Sequence, residues 1–334
     1  MRGSAVYQPE IYWVALSFML VSMLCWGSWA NAVKLCPGYR FQLFYWDYVA
    51  GLIVAAIVWG LTLGTFGSSG KPFLDDVAKT FPHALLLALA GGAVFNVANL
   101  LLVAAIDITG LAVAFPVGIG LALVVGAVGN YILAPEGNPS LLFGGIALVV
   151  GAIVLDAMAY RQRESVRSKS TRRGLILSLL SGLLMGSFYP LVAGAMNGEH
   201  PTGPYAATLF FAVGVAVCAV PVNYLFMRFP LDGGRPVEMR DYRMAPSRWH
   251  WAGILGGAIW CSGALSNFLA SKAHIVGPAV SYSIGQGATM ISAAWGVFIW
   301  HEFASATPKA KVLLIWMFIL FLCGLGAIAI APLF

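Results

Sequence analysis

The sequence has 334 residues, of which 60% are hydrophobic and only 10% are charged, and its mean hydropathy is +0.84. A soluble domain carries roughly a quarter charged residues, so this composition excludes an ordinary soluble protein and predicts apolar runs that face lipid. The formal net charge of +6 does not indicate nucleic-acid binding, because the basic residues form short clusters between the apolar runs. The five cysteines show no CxxC spacing, and we interpret them as small buried side chains rather than metal ligands or disulfides.

Ten apolar runs of about twenty residues follow one another, and each is long enough to span ~30 Å of hydrocarbon. They are 12–33, 43–64, 84–105, 111–133, 141–160, 174–196, 206–227, 250–271, 277–300 and 312–332. The first run is too long for the apolar core of a signal peptide and lacks a clear cleavage site, so we expect a retained helix. The predicted fold is an all-α integral membrane protein with ten transmembrane helices.

The basic residues are concentrated on one set of connections. Those that follow the odd-numbered runs contain fifteen of the 19 lysines and arginines, whereas the other side has Arg2, Lys71, Lys79 and Lys272. The positive-inside rule therefore predicts that the 161–173 connection is cytoplasmic and that both termini lie outside. We expect a multi-pass protein of the cell membrane, of the bacterial inner-membrane kind.

A glycine frame occurs twice in the chain. Residues 110–120 and 277–287 both read Gly-x-Ala-Val-x-x-x-x-Gly-x-Gly, at an offset of 167 residues. An apolar run and then an acid follow each copy, Glu136 after the first and Glu302 after the second. The frame therefore predicts that the chain consists of two related halves.

The predicted halves are residues 1–160 and 174–334, with 161–173 as a basic cytoplasmic linker. Each half has five helices, and units with an odd number of helices insert in opposite directions. The predicted arrangement is thus an inverted repeat with a pseudo-two-fold axis in the membrane plane. Such repeats are typical of transporters whose site lies between the halves.

Polar and aromatic side chains inside the apolar runs are the candidates for a substrate site, since polar groups in hydrocarbon usually face a bundle interior or a cavity. The first, third, fourth, sixth, eighth and ninth runs contribute them. The predicted substrate-binding residues are Trp26, Trp29, Asn96, Asn99, Phe115, Tyr189, Trp260, Asn267, Tyr282 and Gln286. The alternatives are hydrogen bonds between helices for the amides, and anchoring at the headgroup level for tryptophan and tyrosine.

The ninth run is the most polar. Its Tyr282, Gln286 and Thr289 fall on one helical face, whereas the fourth run has Phe115 and Ile119 at the related positions. A site with one polar and one apolar half suits a flat polar heterocycle, or a sugar stacked on aromatic rings.

Few charged residues lie within the runs. Asp47 is early in the second run, and Lys34 lies near the end of the first, on the same side. We expect these two to form an ion pair with each other or to couple the protein to protons. Asp156 and the Lys272/His274 pair are expected at the membrane interface.

Two short motifs resemble those of a known family. Residues 25–29 (Cys-Trp-Gly-Ser-Trp) and 45–48 (Tyr-Trp-Asp-Tyr) are similar to motifs of the ureide permeases and their relatives, the glucose/ribose porters. The five-plus-five arrangement, with Gly-Ser-aromatic motifs at 27–29 and 186–188, resembles the drug/metabolite transporter superfamily over nearly the whole chain. The resemblance implies import of allantoin, uracil and related oxo-heterocycles with protons, or of monosaccharides as in the sugar relatives. Plant ureide permeases carry a long central loop with a nucleotide-binding-like motif, whereas the connection here is short and basic, so no role for ATP is implied.

The sequence thus predicts a secondary active transporter that takes up a ureide, nucleobase or related heterocycle by alternating access, with protons. The alternatives are a sugar or nucleoside transporter of the same fold, and a membrane protein that senses a ligand without transport. No HExxH, GxSxG or His/Cys cluster is present, so we expect no enzyme, no metal and no cofactor. The expected partners are the small-molecule substrate and the lipid bilayer, with no nucleic acid, and the protein is expected to be a monomer or homodimer.

Overall fold

The protein is built from α-helices. The computed structural model describes residues 7–66, 70–163, 172–231, 234–273 and 276–334, and no β-strand occurs among them. The helices are α1 (Tyr12–Ser28), α2 (Asn31–Lys34), α3 (Phe41–Leu61), α4 (Phe73–Lys79), α5 (Pro82–Thr109), α6 (Leu111–Leu133), α7 (Pro139–Arg163), α8 (Arg172–Asn197), α9 (Pro204–Arg228), α10 (Met239–Met244), α11 (Ser247–Ser271), α12 (Gly277–Gly285), α13 (Ala288–Ala294) and α14 (Pro308–Ile330). A π-helical turn, Trp295–Ile299, continues α13, and a 3-10 turn, Ala331–Leu333, follows α14.

Nine helical segments in the described part of the chain are long and apolar enough to cross a membrane. This confirms the predicted all-α membrane architecture. Short helices that the sequence did not predict, α4 and α10, occupy two of the connections. Most of the linker predicted at 161–173, and His274 of the predicted Lys272/His274 pair, lie outside the described residues.

The ninth predicted span is not one continuous helix. Helix α12 ends at Gly285 and α13 begins at Ala288. Between them the amide of Gln286 donates to the carbonyl of Tyr282 (3.1 Å), but the amide of Gly287 donates to Ile284 (2.9 Å), so the spacing tightens from four residues to three. The continuous helix predicted over 277–300 is therefore wrong, and the count of ten continuous spans is not confirmed. Hydropathy measures composition, and composition does not reveal such a break.

The contacts between helices of the first five spans and helices of the last five occur in corresponding pairs. Helix α5 packs against α8 and α9, and α6 packs against α8; correspondingly, α11 packs against α1 and α3, and α13 packs against α1. Two further pairs, α3 with α9 and α7 with α14, join the first five spans to the last five. Each contact of the first set thus has a counterpart in the second when spans six to ten take the place of spans one to five.

Both glycines that open the repeated frame have a left-handed backbone, with φ of 77° at Gly110 and 68° at Gly277. Glycine adopts this conformation without the steric cost that other residues incur. At Gly110 the chain turns between α5 and α6 within a single residue, since α5 ends at Thr109 and α6 begins at Leu111. The shared conformation explains why the frame opens with glycine in both copies.

Candidate functional site

A cavity of about 450 Å³ lies between α1, α5, α6, α8, α11 and α13. We call it the central cavity. Its aromatic lining residues are Trp26, Trp29, Phe41, Phe95, Phe115, Phe188 and Trp260. Its polar and charged lining residues are Lys34, Asn99, Gln286, Thr289 and Ser292. Aromatic walls with a few polar groups are typical of sites that bind small organic molecules.

The aromatic rings form a packed wall around Trp260 of α11. The ring of Trp26 stacks on that of Trp260 with centroids 5.6 Å apart, and the ring of Phe95 lies 4.3 Å from it at a tilt of 38°. Phe188 of α8 contacts both Phe95 (5.4 Å) and Trp260 (6.4 Å). Four helices thus contribute one ring each, which gives a rigid surface on which a flat ligand can stack.

The polar side of the cavity comes mainly from the divided ninth span. Gln286 lies at the break itself, and Thr289 donates a hydrogen bond from its hydroxyl to the Gln286 carbonyl (3.1 Å). Gln286 lines the cavity, and within the described residues the side-chain nitrogen of Asn99 is buried without a partner. An amide both donates and accepts, so these two side chains can read the alternating donors and acceptors of a polar ligand.

Close packing surrounds the break. A methyl group on Gly285 would come 2.6 Å from the side-chain nitrogen of Asn267 and 2.7 Å from the Trp26 ring. One on Gly287 would come 2.6 Å from the sulfur of Met23. Glycine at both positions lets α1 and α11 approach the ninth span and leaves Gln286 between them at the cavity.

Six of the ten predicted substrate-binding residues line the central cavity. They are Trp26, Trp29, Asn99, Phe115, Trp260 and Gln286. They come from five of the six spans that were expected to build the site; the sixth span, α8, contributes Met185 and Phe188. Whether these side chains bind substrate remains a prediction, and it is taken up below.

Asn267, Tyr189 and Tyr282 do not line the cavity and instead form hydrogen bonds inside the bundle. The Tyr189 hydroxyl donates to Oδ1 of Asn267 (2.6 Å), and Nδ2 of Asn267 donates to the Ser22 hydroxyl (3.0 Å). The Tyr282 hydroxyl donates to the carbonyl of Ala122 (3.0 Å). For these residues the alternative, hydrogen bonding between helices, describes the structure. Tyr282 is buried against α6 and does not line the cavity with Gln286.

Asn96 is likewise satisfied by protein groups. Its Oδ1 accepts from the Tyr45 hydroxyl (3.0 Å), and its Nδ2 lies 3.4 Å from the sulfur of Cys218. It lies one helical turn from Asn99 on α5. Of these two neighbouring amides, Asn96 therefore bonds to other helices and Asn99 lines the cavity.

The expected ion pair between Lys34 and Asp47 is wrong. Lys34 instead pairs with Glu302, with 2.6 Å between Nζ and Oε1. The carboxylate of Asp47 accepts from the hydroxyls of Tyr242 (2.6 Å) and Tyr39 (3.2 Å) and faces Nδ1 of His250 at 2.9 Å. Proximity in the sequence suggested the wrong partner, because Glu302 at Lys34, and Tyr242 and His250 at Asp47, come from the second half of the chain.

Tyr39 and Tyr242, the two phenols that donate to Asp47, lie outside the membrane spans. Burial, followed by the neighbouring Asp47 carboxylate, raises the pKa of both phenols above its ordinary value. Both tyrosines therefore stay protonated and remain donors to Asp47 over the physiological pH range. Asp47 is 3% exposed and lies outside the central cavity.

The mouth of the central cavity is at one end of the bundle. Lys34, Phe41 and Ile106 line it there, where α1 and α5 end and α3 begins. Arg40 and Arg163 lie at the same end, which we call the basic end. The cavity thus opens towards the side that carries most of the basic residues.

At the opposite end, polar contacts join the connections between the spans. The carboxylate of Asp76 in α4 accepts from the backbone amide of Gly203 (2.7 Å) and from the Thr202 hydroxyl (3.3 Å). Burial raises the pKa of Asp76, and these two hydrogen bonds oppose the rise. Lys272 donates to the carbonyl of Met196 (3.0 Å), and burial lowers its pKa. The same residues line a separate pocket of about 270 Å³ at that end.

Several residues of the site escaped the sequence analysis. Phe188 belongs to the Gly-Ser-aromatic motif at 186–188, so the motif signalled the position although Tyr189 was chosen. Glu302 was noted only as the acid after the second glycine frame, and His250 gave no local signal, since the partners of both are distant in the chain. In the described part of the chain, no three His, Cys, Asp or Glu side chains are grouped so as to hold a metal ion.

Comparisons with known proteins agree with this architecture. The model of a family described as sugar transport protein matches residues 16–331. Ureide permease 1 of Arabidopsis thaliana is 22% identical over 97% of this chain and 98% of its own length, and a putative sugar uptake protein of Listeria innocua is 24% identical over 73% and 78%. A solved protein crystal structure with 14% identity covers 96% of both chains with a TM-score of 0.63, which shows a shared fold.

Proposed function

Because the chain belongs to the sugar transport protein family and is a membrane transporter of small metabolites, we propose that it moves a ureide, nucleobase or related flat heterocycle by alternating access. The proposal includes uptake across the cytoplasmic membrane together with protons. It is supported by the ureide permeases of Arabidopsis thaliana, which match nearly the full length of the chain.

The single observation that supports this substrate class is the set of side chains that line the central cavity. Trp26, Trp260 and Phe95 line it with flat rings, and Gln286 and Asn99 line it with amide side chains. A flat oxo-heterocycle can stack on the rings while its carbonyl and N–H groups pair with the amides. An apolar ligand would leave the amides unpaired, at a cost of about 1–3 kcal/mol for each buried group.

A sugar is the second candidate, and the comparisons favour it on a specific ground. The matching family model is described as sugar transport protein, and the Listeria innocua relative is called a putative sugar uptake protein. Sugar hydroxyls also pair with amides, and the apolar face of a pyranose can pack on an aromatic ring. We rank the heterocycle first because the aromatic rings of the cavity offer surfaces on which a flat ligand can stack. A transport experiment distinguishes the two substrate classes.

Alternating access requires two gates, one on each side of the membrane. In this proposal the two halves of the chain, each with one copy of the glycine frame, form these gates. We propose that residues 1–160 and 174–334 form inverted halves, supported by the matched helix contacts and by the left-handed Gly110 and Gly277. With the basic end in the cytoplasm, the central cavity of the described state opens inward. Labelling of Ser165→Cys by an impermeant thiol reagent in intact cells would contradict this orientation.

Counterflow in proteoliposomes tests the substrate. Vesicles loaded with unlabelled allantoin, uracil, glucose or ribose are diluted into the labelled compound, and a transient accumulation identifies what is carried. We expect allantoin or uracil to give the signal and the monosaccharides to give none. The reverse result would select the sugar alternative, and no signal with any of the four would contradict both. Trp260→Ala provides the matched control, since it removes the stacking surface while leaving the amides in place.

A further inference from the structure

The pocket at the end opposite the basic end, which we call the outer pocket, is separate from the central cavity. It is lined mainly by α4, by the connection between α8 and α9, and by the residue that follows α11. Among the described residues, none that lines the outer pocket also lines the central cavity. Lys71, Lys79 and Lys272, the three lysines that the sequence places away from the basic side, all line the outer pocket.

One of these lysines links two helices beside the outer pocket. Lys272 directly follows α11, and its Nζ donates to the carbonyl of Met196 (3.0 Å) and to Oδ1 of Asn197 (3.1 Å), the last two residues of α8. Lys79, by comparison, lies 3.9 Å from a carboxylate oxygen of Asp75 in its own helix, α4. The ammonium group of Lys272 is therefore a link between the ends of α8 and α11.

Side chains of α8 and α11 meet at the level between the two spaces. Helix α8 lines the central cavity with Phe188 and the outer pocket with Met196. Between these two residues Tyr189 is completely buried, and its ring lies 5.3 Å from that of Phe268 of α11, which is also completely buried. The Tyr189 hydroxyl donates to Oδ1 of Asn267, the neighbour of Phe268 (2.6 Å). Packing and hydrogen bonding between α8 and α11 thus separate the outer pocket from the central cavity.

The related pair of spans is arranged differently at the basic end. The Gly-Gly-Ala motifs at 91–93 and 256–258 relate α5 to α11, as the Gly-Ser-aromatic motifs relate α1 to α8. Lys34, which ends α2 just after α1, and Ile106 of α5 line the mouth of the central cavity. The ends of one pair therefore flank an opening, whereas the ends of the other pair are linked by Lys272. Alternating access by inverted halves requires that two such arrangements interconvert.

We propose that the outer pocket is the entrance of the transport path on its side of the membrane, and that Lys272 closes this path by linking α8 to α11. An entering compound offers carbonyl or hydroxyl oxygens, which can accept from the ammonium group in place of the Met196 carbonyl and the Asn197 amide. The link is then broken, and the ends of α8 and α11 can separate. Only hydrogen bonds are exchanged. The inference rests on the proposed function, because a path that closes at this end is part of alternating access.

The aromatic residues of the outer pocket suit a flat polar compound. Phe81 and His200 both line it, and their rings stack with centroids 3.9 Å apart and planes at 11°. Phe81 is 49% exposed, so a further flat ring can pack on this pair. Aromatic rings next to a lysine ammonium group are also found in the lining of the central cavity, where Lys34 is the lysine. The outer pocket can therefore receive the class of compound proposed for the cavity.

The first test needs no substrate. Ser292→Cys places a thiol in the central cavity, and an impermeant thiol reagent is applied from one side in intact cells and from the other in inverted membrane vesicles. With Lys272 in place, we expect labelling above the background of the native cysteines from the side of the basic end only. Lys272→Met keeps an unbranched side chain of similar length without hydrogen-bond donors. It should increase labelling from the opposite side several-fold, because the closed arrangement loses its link and the population shifts.

The controls distinguish a gate from a general effect of the lysines. Lys272→Arg keeps the donors and should keep the labelling one-sided, and so should Lys79→Met, whose partner Asp75 lies in the same helix. Asn197→Ala removes one of the two acceptors from an exposed position and should give a smaller increase, so it decides the matter if Lys272→Met does not fold. Labelling that stays one-sided without the Lys272 link, or that becomes two-sided equally in Lys79→Met, would overturn the proposal.

The second test addresses the entrance. Glu199→Cys places a thiol in the outer pocket, and its rate of labelling is measured with allantoin, uracil, glucose or ribose present. We expect the compound that gives counterflow to slow the labelling, and Lys272→Met to need a several-fold higher concentration for the same protection. Absence of protection by a compound that the protein carries would overturn the entrance. Labelling that becomes two-sided in Lys272→Met of a protein that carries none of the four compounds would refute the proposed function and leave the gate standing.

Discussion

The fourth and the ninth span share one glycine frame, and only the ninth is divided at it. Helix α6 runs without interruption from Leu111 to Leu133 although it contains Pro116, whereas the ninth span breaks between Gly285 and Ala288. The frame therefore fixes where each span begins, through the left-handed opening glycine. It does not decide whether the span continues as a helix.

The surroundings of the frame glycines account for the difference. A methyl group on Gly120 would have no heavy-atom neighbour within 4 Å, and one on Gly118 would meet only the flexible Leu102 side chain below 3 Å. The equivalent Gly287 and Gly285 are enclosed by Met23, Leu325, Asn267 and Trp26. The glycines of the ninth span are thus tightly packed and those of the fourth are not. The residues between them, Gln286 and Ile119, make one half of the cavity polar and the other apolar.

The largest expected effect comes from the hydrogen bonds behind the break. Asn267→Leu puts an apolar side chain of similar size in the eighth span and removes the partner of Tyr189, Ser22 and Ser281. We expect a loss of about 3–5 kcal/mol of stability, because each unpaired buried polar group costs about 1–3 kcal/mol. Unfolding of the detergent-purified protein by heat or denaturant measures it.

Asn99→Leu is the matched control for this change. Its side-chain nitrogen already lacks a partner in the described residues, so replacing it should cost little stability. If Asn267→Leu is as stable as Asn99→Leu, the network does not hold the divided span in place, and our explanation of the comparison is wrong.

A smaller loss is expected from filling the enclosed glycine. In Gly287→Ala the new methyl group would press on the Met23 sulfur at 2.6 Å and the Ile284 carbonyl at 3.0 Å. Overpacking of this kind costs about 1–3 kcal/mol. The melting temperature should fall, and thiol labelling of Gln286→Cys in the same background would report whether the cavity side of the break has moved. An unchanged melting temperature would contradict the close packing.

The sequence predicted the helices better than their interruptions. The run 111–133 coincides with α6, and the run 141–160 lies within α7, because length and hydropathy determine which segments fill the membrane. The break at Gln286 could not be predicted, since the same Gly-x-Gly occurs in the continuous α6. Only the neighbours of these glycines distinguish the two spans, and those neighbours come from α1, α11 and α14.

The candidate site could be predicted in its residue types and only partly in its contacts. Large rings and amides inside apolar runs are costly unless they have a partner, so Trp260, Asn99 and Gln286 were correctly placed inside the bundle. Helical periodicity gives the face of a residue but not the helix that it meets. For that reason Asn267 proved to be a structural hydrogen-bonding group, and Lys34 was assigned to Asp47 instead of Glu302.

A moderate effect on binding is expected from the polar residue at the break. Gln286→Ala should weaken binding of the transported compound by about 1–2 kcal/mol, since ligand groups lose a partner that can donate and accept. Ile119→Ala, at the related position of α6 and also in the cavity lining, removes apolar contact and should change the affinity less for a polar ligand. Calorimetric titration beside a melting curve measures both. Unchanged affinity in Gln286→Ala would remove this residue from the site.

The smallest effect, and the one with the opposite sign, is expected from the open glycine. Gly120→Ala places a methyl group where no heavy atom lies within 4 Å, in the interior of the continuous helix α6. Alanine is favoured over glycine in a helix by about 0.5–1 kcal/mol, so the variant should melt at a slightly higher temperature than the wild type. Gly287→Ala is its natural pair, because the two glycines occupy the same position of the repeated frame. If both variants melt at a lower temperature than the wild type, the open space around Gly120 does not determine the effect of the substitution. Our explanation of the difference between the two spans is then wrong.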